Sequence, residues 1–216
     1  AAPKSGARSE PRVQVHGTHG SHAATFSRPP KPMRDVVIAS ACRTPIGNFQ
    51  GTLAKFSAPQ LGALAAAEAL RRAGVEPDAV QEVIFGNVLT AGVGQNPARQ
   101  VARAAGVPDH VGSLTINKVC GSGLKAVMLA AQAVRAGDAR LVLAGGMESM
   151  SNAPHLLTRA RGGYRLGHGE LKDHMFLDGL EDAESGQLMG AFAQQVADNR
   201  GYSRERMDDF AIASLE

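Results

Sequence analysis

Cys120 is the residue of this 216-residue chain best placed to do chemistry. It lies in Asn117-Lys118-Val119-Cys120-Gly121-Ser122-Gly123, between a β-type run and a helical period. Free N–H groups and the dipole at a helix start stabilise an anion, which favours a thiolate. The flanking glycines permit a sharp turn and close backbone approach. A thiol so placed can attack an acyl carbonyl and hold the acyl group as a thioester. Spacing alone is equally compatible with a cysteine filling a small core site. Cys42, in Ala41-Cys42-Arg43-Thr44-Pro45, is followed by no Gly-rich turn or helix start and reads as a buried structural residue.

Other patterns fall short of a site. Gly92-Val93-Gly94-Gln95-Asn96-Pro97 begins like a dinucleotide fingerprint but has Pro where the third Gly belongs. Gly121-Ser122-Gly123 lacks the spacing of a hydrolase elbow. His168, Glu170 and His174 sit two and four apart in a Gly-rich stretch, which matches no strong ligand pattern. They are expected to be solvated loop residues, so no metal is expected. Arg71-Arg72 reads as a solvated helix end.

The elements that must position Cys120 follow from composition and period. Hydrophobic residues are 44% of the chain, enough for a sizeable core. Aromatics are 4% with no tryptophan, which argues against aromatic-platform nucleic-acid binders. No window approaches about 18 uninterrupted apolar residues, so no membrane-spanning helix is expected. Two cysteines cannot by themselves build a disulfide framework or a zinc site. Their scarcity fits a reducing compartment, and a cytoplasmic location is expected. Residues 1–34 hold six basic groups and one acid, whereas residues 35–216 hold 17 basic and 19 acidic groups. The basic character belongs to the tail, and the body offers no electrostatic case for nucleic acid.

Residues 1–32 carry five of the eleven prolines and no apolar period, and read as a disordered basic extension. A mitochondrial location follows only if this extension is a transit peptide, and its prolines oppose the amphipathic helix of such peptides. Met33 is the expected native start, with the extension as translated upstream sequence or a cloning remnant. Val36-Val37-Ile38 then reads as a buried strand. Ser57 and Gln60 form a capping-box pattern for a helix to about Ala73, closed by Gly74. Strands are expected at Val83-Ile84-Phe85, at 114–119 and at 141–144, the last broken by Gly145-Gly146. Helices are expected at 97–105 and from Leu124 to Gly137, the latter small-sided almost all round and so buried. Residues 151–187 read mostly as loop. A helix from Met189 to about Asn199 follows, and Ser203 caps a last helix still running at Glu216, as in a truncated chain. Alternating strands and helices imply a largely parallel α/β sheet covered on both faces.

As an ordered set, these residues resemble the thiolase family, most closely its biosynthetic acetyl-CoA acetyltransferases. The likeness runs from about Met33 to Glu216. It is carried by Ala41-Cys42-Arg43-Thr44-Pro45-Ile46-Gly47, Phe85-Gly86-Asn87-Val88-Leu89, Gly94-Gln95-Asn96-Pro97-Ala98-Arg99-Gln100, the Cys120 motif through Val127, and Ala144-Gly145-Gly146-Met147-Glu148-Ser149-Met150-Ser151. Asp208-Asp209-Phe210-Ala211 with Ser214 looks like a helix late in the family's loop region. The resemblance implies a layered α-β-α-β-α fold in two similar halves. Residues 33–150 would be the N-terminal domain and 151–216 the start of an inserted loop domain.

The implied reaction is a reversible Claisen condensation of two acetyl-CoA to acetoacetyl-CoA and CoA, without a further cofactor. Cys120 would carry the acyl group, and Leu180 and Met189 would line the pantetheine path. Leu188 stands where many biosynthetic members carry a His. A homodimer or homotetramer is implied for the complete protein. The family's later Asn-Glu-Ala-Phe and Gly-His-Pro segments and its second catalytic Cys do not occur here. The chain is therefore expected to be the N-terminal part of such an enzyme of lipid metabolism, inactive in turnover by itself. The rival readings are a 3-ketoacyl-CoA thiolase of β-oxidation and a non-catalytic acyl-CoA-binding or assembly subunit.

Overall fold

Ser57 and Gln60 start the first helix by exchanging hydrogen bonds. The Ser57 hydroxyl accepts the Gln60 N–H, and the Gln60 side chain accepts the Ser57 N–H at 2.8 Å. Helix α1, Ala58–Ala73, ends at Gly74 with φ 61°. The computed structural model describes residues 35–216. The expectations for the 1–32 extension and for a start at Met33 fall outside them. Ser57→Ala should remove the reciprocal cap and cost about 1 kcal/mol. Thermal unfolding followed by circular dichroism checks this, and an unchanged midpoint would count against it.

Strands β1, Glu82–Gly86, β2, Gly112–Ile116, and β3, Val142–Gly146, form one parallel sheet in the order β2-β1-β3. Helix α2, Pro97–Ala104, links β1 to β2, and α3, Ser122–Ala136, links β2 to β3. Alternation along β1 sends Val83 and Phe85 to one face. There they join Ala66 and Leu70 of α1, Ala98 and Val101 of α2, and Leu143 of β3 in a single buried cluster. Each such Val, Leu or Phe contributes about 1.5–3 kcal/mol. Ile84 and Gly86 face the other side, where α3 begins against Gly86. Helices thus cover both faces, and the fold is α/β.

Five expectations are corrected. Val36-Val37-Ile38 is extended but unpaired, with Val37 83% and Ile38 76% exposed. A strand needs a ladder partner, and this segment pairs with neither outer edge of the sheet, β2 nor β3. This segment is tied to α1 instead, by the Ser40 hydroxyl on the Ala69 carbonyl at 2.6 Å and the Cys42 thiol on the Ala65 carbonyl at 3.0 Å. The strand expected at 114–119 stops at Ile116, because the Asn117 side chain accepts the Val119 N–H and bends the chain. β3 is not broken by its glycines. Gly145 and Gly146 pair with Phe85 and Gly86, and their missing side chains leave room for the Phe85 ring and for Gly123 of α3. α3 is buried on one face only, through Ser122, Ala126 and Ala130, while Leu124, Val127 and Met128 are exposed. Small residues permit close packing on every side, but only β1 and β3 supply it among the described residues. Helix α5, Arg204–Ala213, stops before Glu216, where the Ser214 hydroxyl donates to the Phe210 carbonyl.

Residues 151–187 contain short turns and a two-stranded antiparallel pair, β4, His155–Leu156, and β5, Lys172–Asp173. A π-helical turn at Phe176–Leu180 follows, then helix α4, Met189–Asn199. Among the described residues no helix is long and apolar enough to cross a membrane.

Candidate active site

The carboxyl ends of parallel strands are where α/β sheets place their sites, and the chain leaves all three strands here through irregular turns. Beyond β2, residues 117–121 carry Cys120, which is exposed. Val119, just before it, has φ 47°. A β-branched residue in the left-handed region is strained by about 1–3 kcal/mol, so other contacts must hold it. The Asn117 side chain accepts the Val119 N–H at 2.8 Å, and the Lys118 carbonyl accepts the Gly121 N–H at 3.1 Å. Ser122, 4% exposed, accepts the Lys118 N–H at 2.8 Å with its hydroxyl and donates that hydroxyl to the Val119 carbonyl at 2.6 Å. Gly121 is the cap residue of α3, so Cys120 stands two residues before the first helical one.

The turn after β1 is fastened from three sides. Asn87 is fully buried and donates its backbone N–H to the Ile116 carbonyl at 3.0 Å. Glu148, just beyond β3, accepts the Asn87 side-chain amide at 2.6 Å, the Val88 N–H at 2.9 Å and the Leu89 N–H at 3.0 Å. The Ala91 N–H donates to Nε2 of His174 at 3.2 Å, which leaves the ring proton on Nδ1, facing Asp178 at 2.6 Å.

His174 is therefore buried, 4% exposed, and the expectation of a solvated loop residue is wrong for it. Its partners lie 83 residues upstream and one helical turn downstream, a combination that local spacing does not show. Glu170 and Lys172 pair at 2.7 Å, and the ammonium holds the Glu170 carboxyl below the usual carboxylate range. Among the described residues no three His, Cys, Asp or Glu side chains converge as a metal would require. Glu148 was not singled out from sequence. The available signal is an acid two residues after an apolar run ending in Gly-Gly.

Leu180 and Met189 are brought together. Leu180 closes the π-helical turn and Met189 opens α4, and the antiparallel bridge between Glu181 and Leu188 joins the residues beside them. Leu180 is half-buried and Met189 is 42% exposed. This hairpin meets the turn after β1 where Leu89 packs against Gly179. Cys120 stands on the separate turn after β2, and the buried Asn87 joins the two turns through its bond to Ile116.

Residues 36–216 match the thiolase N-terminal domain family. The chain is 58% identical to an acetyl-CoA acetyltransferase of Cupriavidus necator over 182 residues, 84% of this chain and 46% of that protein. It is 53% identical to an acetyl-CoA acetyltransferase of Pseudomonas aeruginosa over 184 residues, 85% of this chain and 47% of that one. The crystal structure of Acat5 thiolase from Ascaris suum in complex with coenzyme A superposes with a TM-score of 0.79 at 44% identity, covering 84% of this chain and 47% of that chain. The chain thus spans about half the length of the curated relatives it matches. Its order of elements, its strand-end turns and these likenesses agree: the chain belongs to the thiolase family.

Proposed function

We propose that this chain is the N-terminal part of an acyltransferase that condenses two acetyl-CoA to acetoacetyl-CoA and CoA, reversibly, through an acetyl thioester on Cys120. The observation that carries the reading is the exposed thiol on a strained, fully tied turn at the carboxyl end of a parallel strand. The Cys120 thiolate attacks the acetyl carbonyl carbon. The carbonyl electrons move to oxygen, where oriented N–H donors stabilise the oxyanion by about 3–4 kcal/mol each. Collapse breaks the bond to CoA, which leaves as a thiolate and takes up a proton. Condensation then requires a base that removes a methyl proton from a second acetyl-CoA. The resulting carbanion attacks the acetyl-Cys120 carbonyl, the new C–C bond forms and the bond to Sγ breaks.

Cys42 is the other thiol here, and it donates to the Ala65 carbonyl beside α1. This domain's own share is accordingly the acyl transfer to Cys120. Leu180 and Met189 form the wall past which the pantetheine arm reaches it. The acetyl-specific reading is preferred over a longer-chain thiolase because the similar proteins carry the acetyl-CoA acetyltransferase name. A homodimer or homotetramer is expected for the whole protein.

The test is a single-turnover labelling of the chain with acetyl-CoA, with peptide mapping by mass spectrometry and measurement of released CoA. One acetyl group on Cys120, matched by one CoA and lost in Cys120→Ala, is the expected result. Label on Cys42, or label that survives Cys120→Ala, would overturn the assignment. Faster transfer from octanoyl-CoA than from acetyl-CoA would favour the longer-chain reading.

A further inference from the structure

We infer that Ser122 is a positioning residue for Cys120, acting through the turn and not on the substrate. This rests on the reading of Cys120 as the acyl acceptor. Ser122 is the first residue of α3, yet its hydroxyl caps none of that helix's own N–H groups. It reaches back past Cys120, accepting from Lys118 N at 2.8 Å and donating to Val119 O at 2.6 Å. The Ser122 N–H donates to the same Val119 carbonyl at 3.0 Å. Two donors on one residue therefore hold the peptide that joins Val119 to Cys120. That peptide follows the one described backbone position near the thiol that an L side chain resists, Val119 at φ 47°.

The clamp is itself anchored. A Cβ on Gly86 would lie 2.6 Å from the Ser122 Cβ and carbonyl carbon, so Ser122 rests on the end of β1 with no slack. The direction of the Cys120 side chain is thus referred, through one buried hydroxyl, to the central strand. Without the hydroxyl, Lys118 N–H loses its acceptor and Val119 is free to relax to negative φ, which turns the thiol away from its line of attack. Small errors of this kind are costly for a directed acyl transfer and nearly irrelevant to a freely diffusing alkylating agent.

The experiment compares Ser122→Ala with the wild-type chain in two reactions of Cys120: acetylation by acetyl-CoA and alkylation by iodoacetamide. Acetylation should slow about tenfold or more while alkylation stays within about threefold. Glycine adopts positive φ freely, so Val119→Gly/Ser122→Ala should acetylate within about threefold of Val119→Gly. A general weakening of packing at the start of α3 would not be rescued in this way. Equal acetylation in Ser122→Ala and wild type, or a double variant as slow as Ser122→Ala, would overturn the inference. If Ser122→Ala does not fold, the comparison of the double variant with Val119→Gly decides alone, and a tenfold deficit there overturns it. No acetylation of wild-type Cys120 would overturn the nucleophile reading itself, and this inference with it.

Discussion

Gly86→Val is expected to destabilise the chain by about 3 kcal/mol, the upper end of what overpacking costs. The position has no room for any side chain. A Cβ there would stand 2.6 Å from the Ser122 carbonyl carbon and Cβ and 2.7 Å from Gly123 N. These are mostly backbone atoms at the start of a helix, so no rotamer change can make space. α3 would have to lift from the end of β1, and the Cys120 turn would move with it. Urea unfolding should show a lower midpoint with little change in slope. Gly112→Ala is the control, since a Cβ at Gly112 meets nothing within 4 Å. Unfolding of Gly86→Val at the wild-type midpoint would mean that α3 is not seated as described.

Glu148→Ala should cost about 3 kcal/mol as well. The carboxylate accepts from Val88 N, Leu89 N and the Asn87 amide, and only the last has a second acceptor, the Met147 carbonyl at 3.4 Å. A donor left unpaired away from water costs about 1–3 kcal/mol. Partial access of water to the loop keeps the total below the sum. Glu148→Gln, which keeps one carbonyl acceptor but turns an amide toward these donors, should fall between. Hydrogen exchange supplies a local readout, because the Val88 and Leu89 amides should exchange faster in Glu148→Ala than in wild type. Unchanged protection there would show that the carboxylate does not hold the turn.

The parts of this fold legible in the sequence are those fixed by near neighbours. Ser57 with Gln60, Gly74 and Gly137 mark helix ends because caps are satisfied within a few residues. Val83-Ile84-Phe85 is apolar on both faces because helices cover both, and a continuous apolar run shows this directly. What was illegible depends on distant partners. Val36-Val37-Ile38 has the composition of a strand, but composition does not show that the residues after it are anchored to α1, 23 to 29 positions on. Gly145-Gly146 looks like a break unless one knows that the Phe85 ring and Gly123 occupy the space above and below. His174 and Glu148 are polar residues whose hydrogen-bond partners lie about 60 to 80 positions upstream. The Cys120 turn was recognisable from its glycines and flanking periods, but not the strain at Val119 or the reach of the Ser122 hydroxyl.

The order β2-β1-β3 also sets the sequence of events when the sheet is made. Glu82 pairs with Gly112, 30 residues on, and with Val142, 60 residues on. The central strand is therefore synthesised first and waits longest for its neighbours. Neither of its edges can be closed locally, and such non-local parallel pairing is slow. Until α3 is complete at residue 136, Val83-Ile84-Phe85 has only α1 and α2 to shelter it, and only on the face that Val83 and Phe85 occupy. The opposite face, with Ile84, waits for α3. The interval between the emergence of β1 and the arrival of β3 is thus the stretch of synthesis in which this chain is most exposed to misassociation.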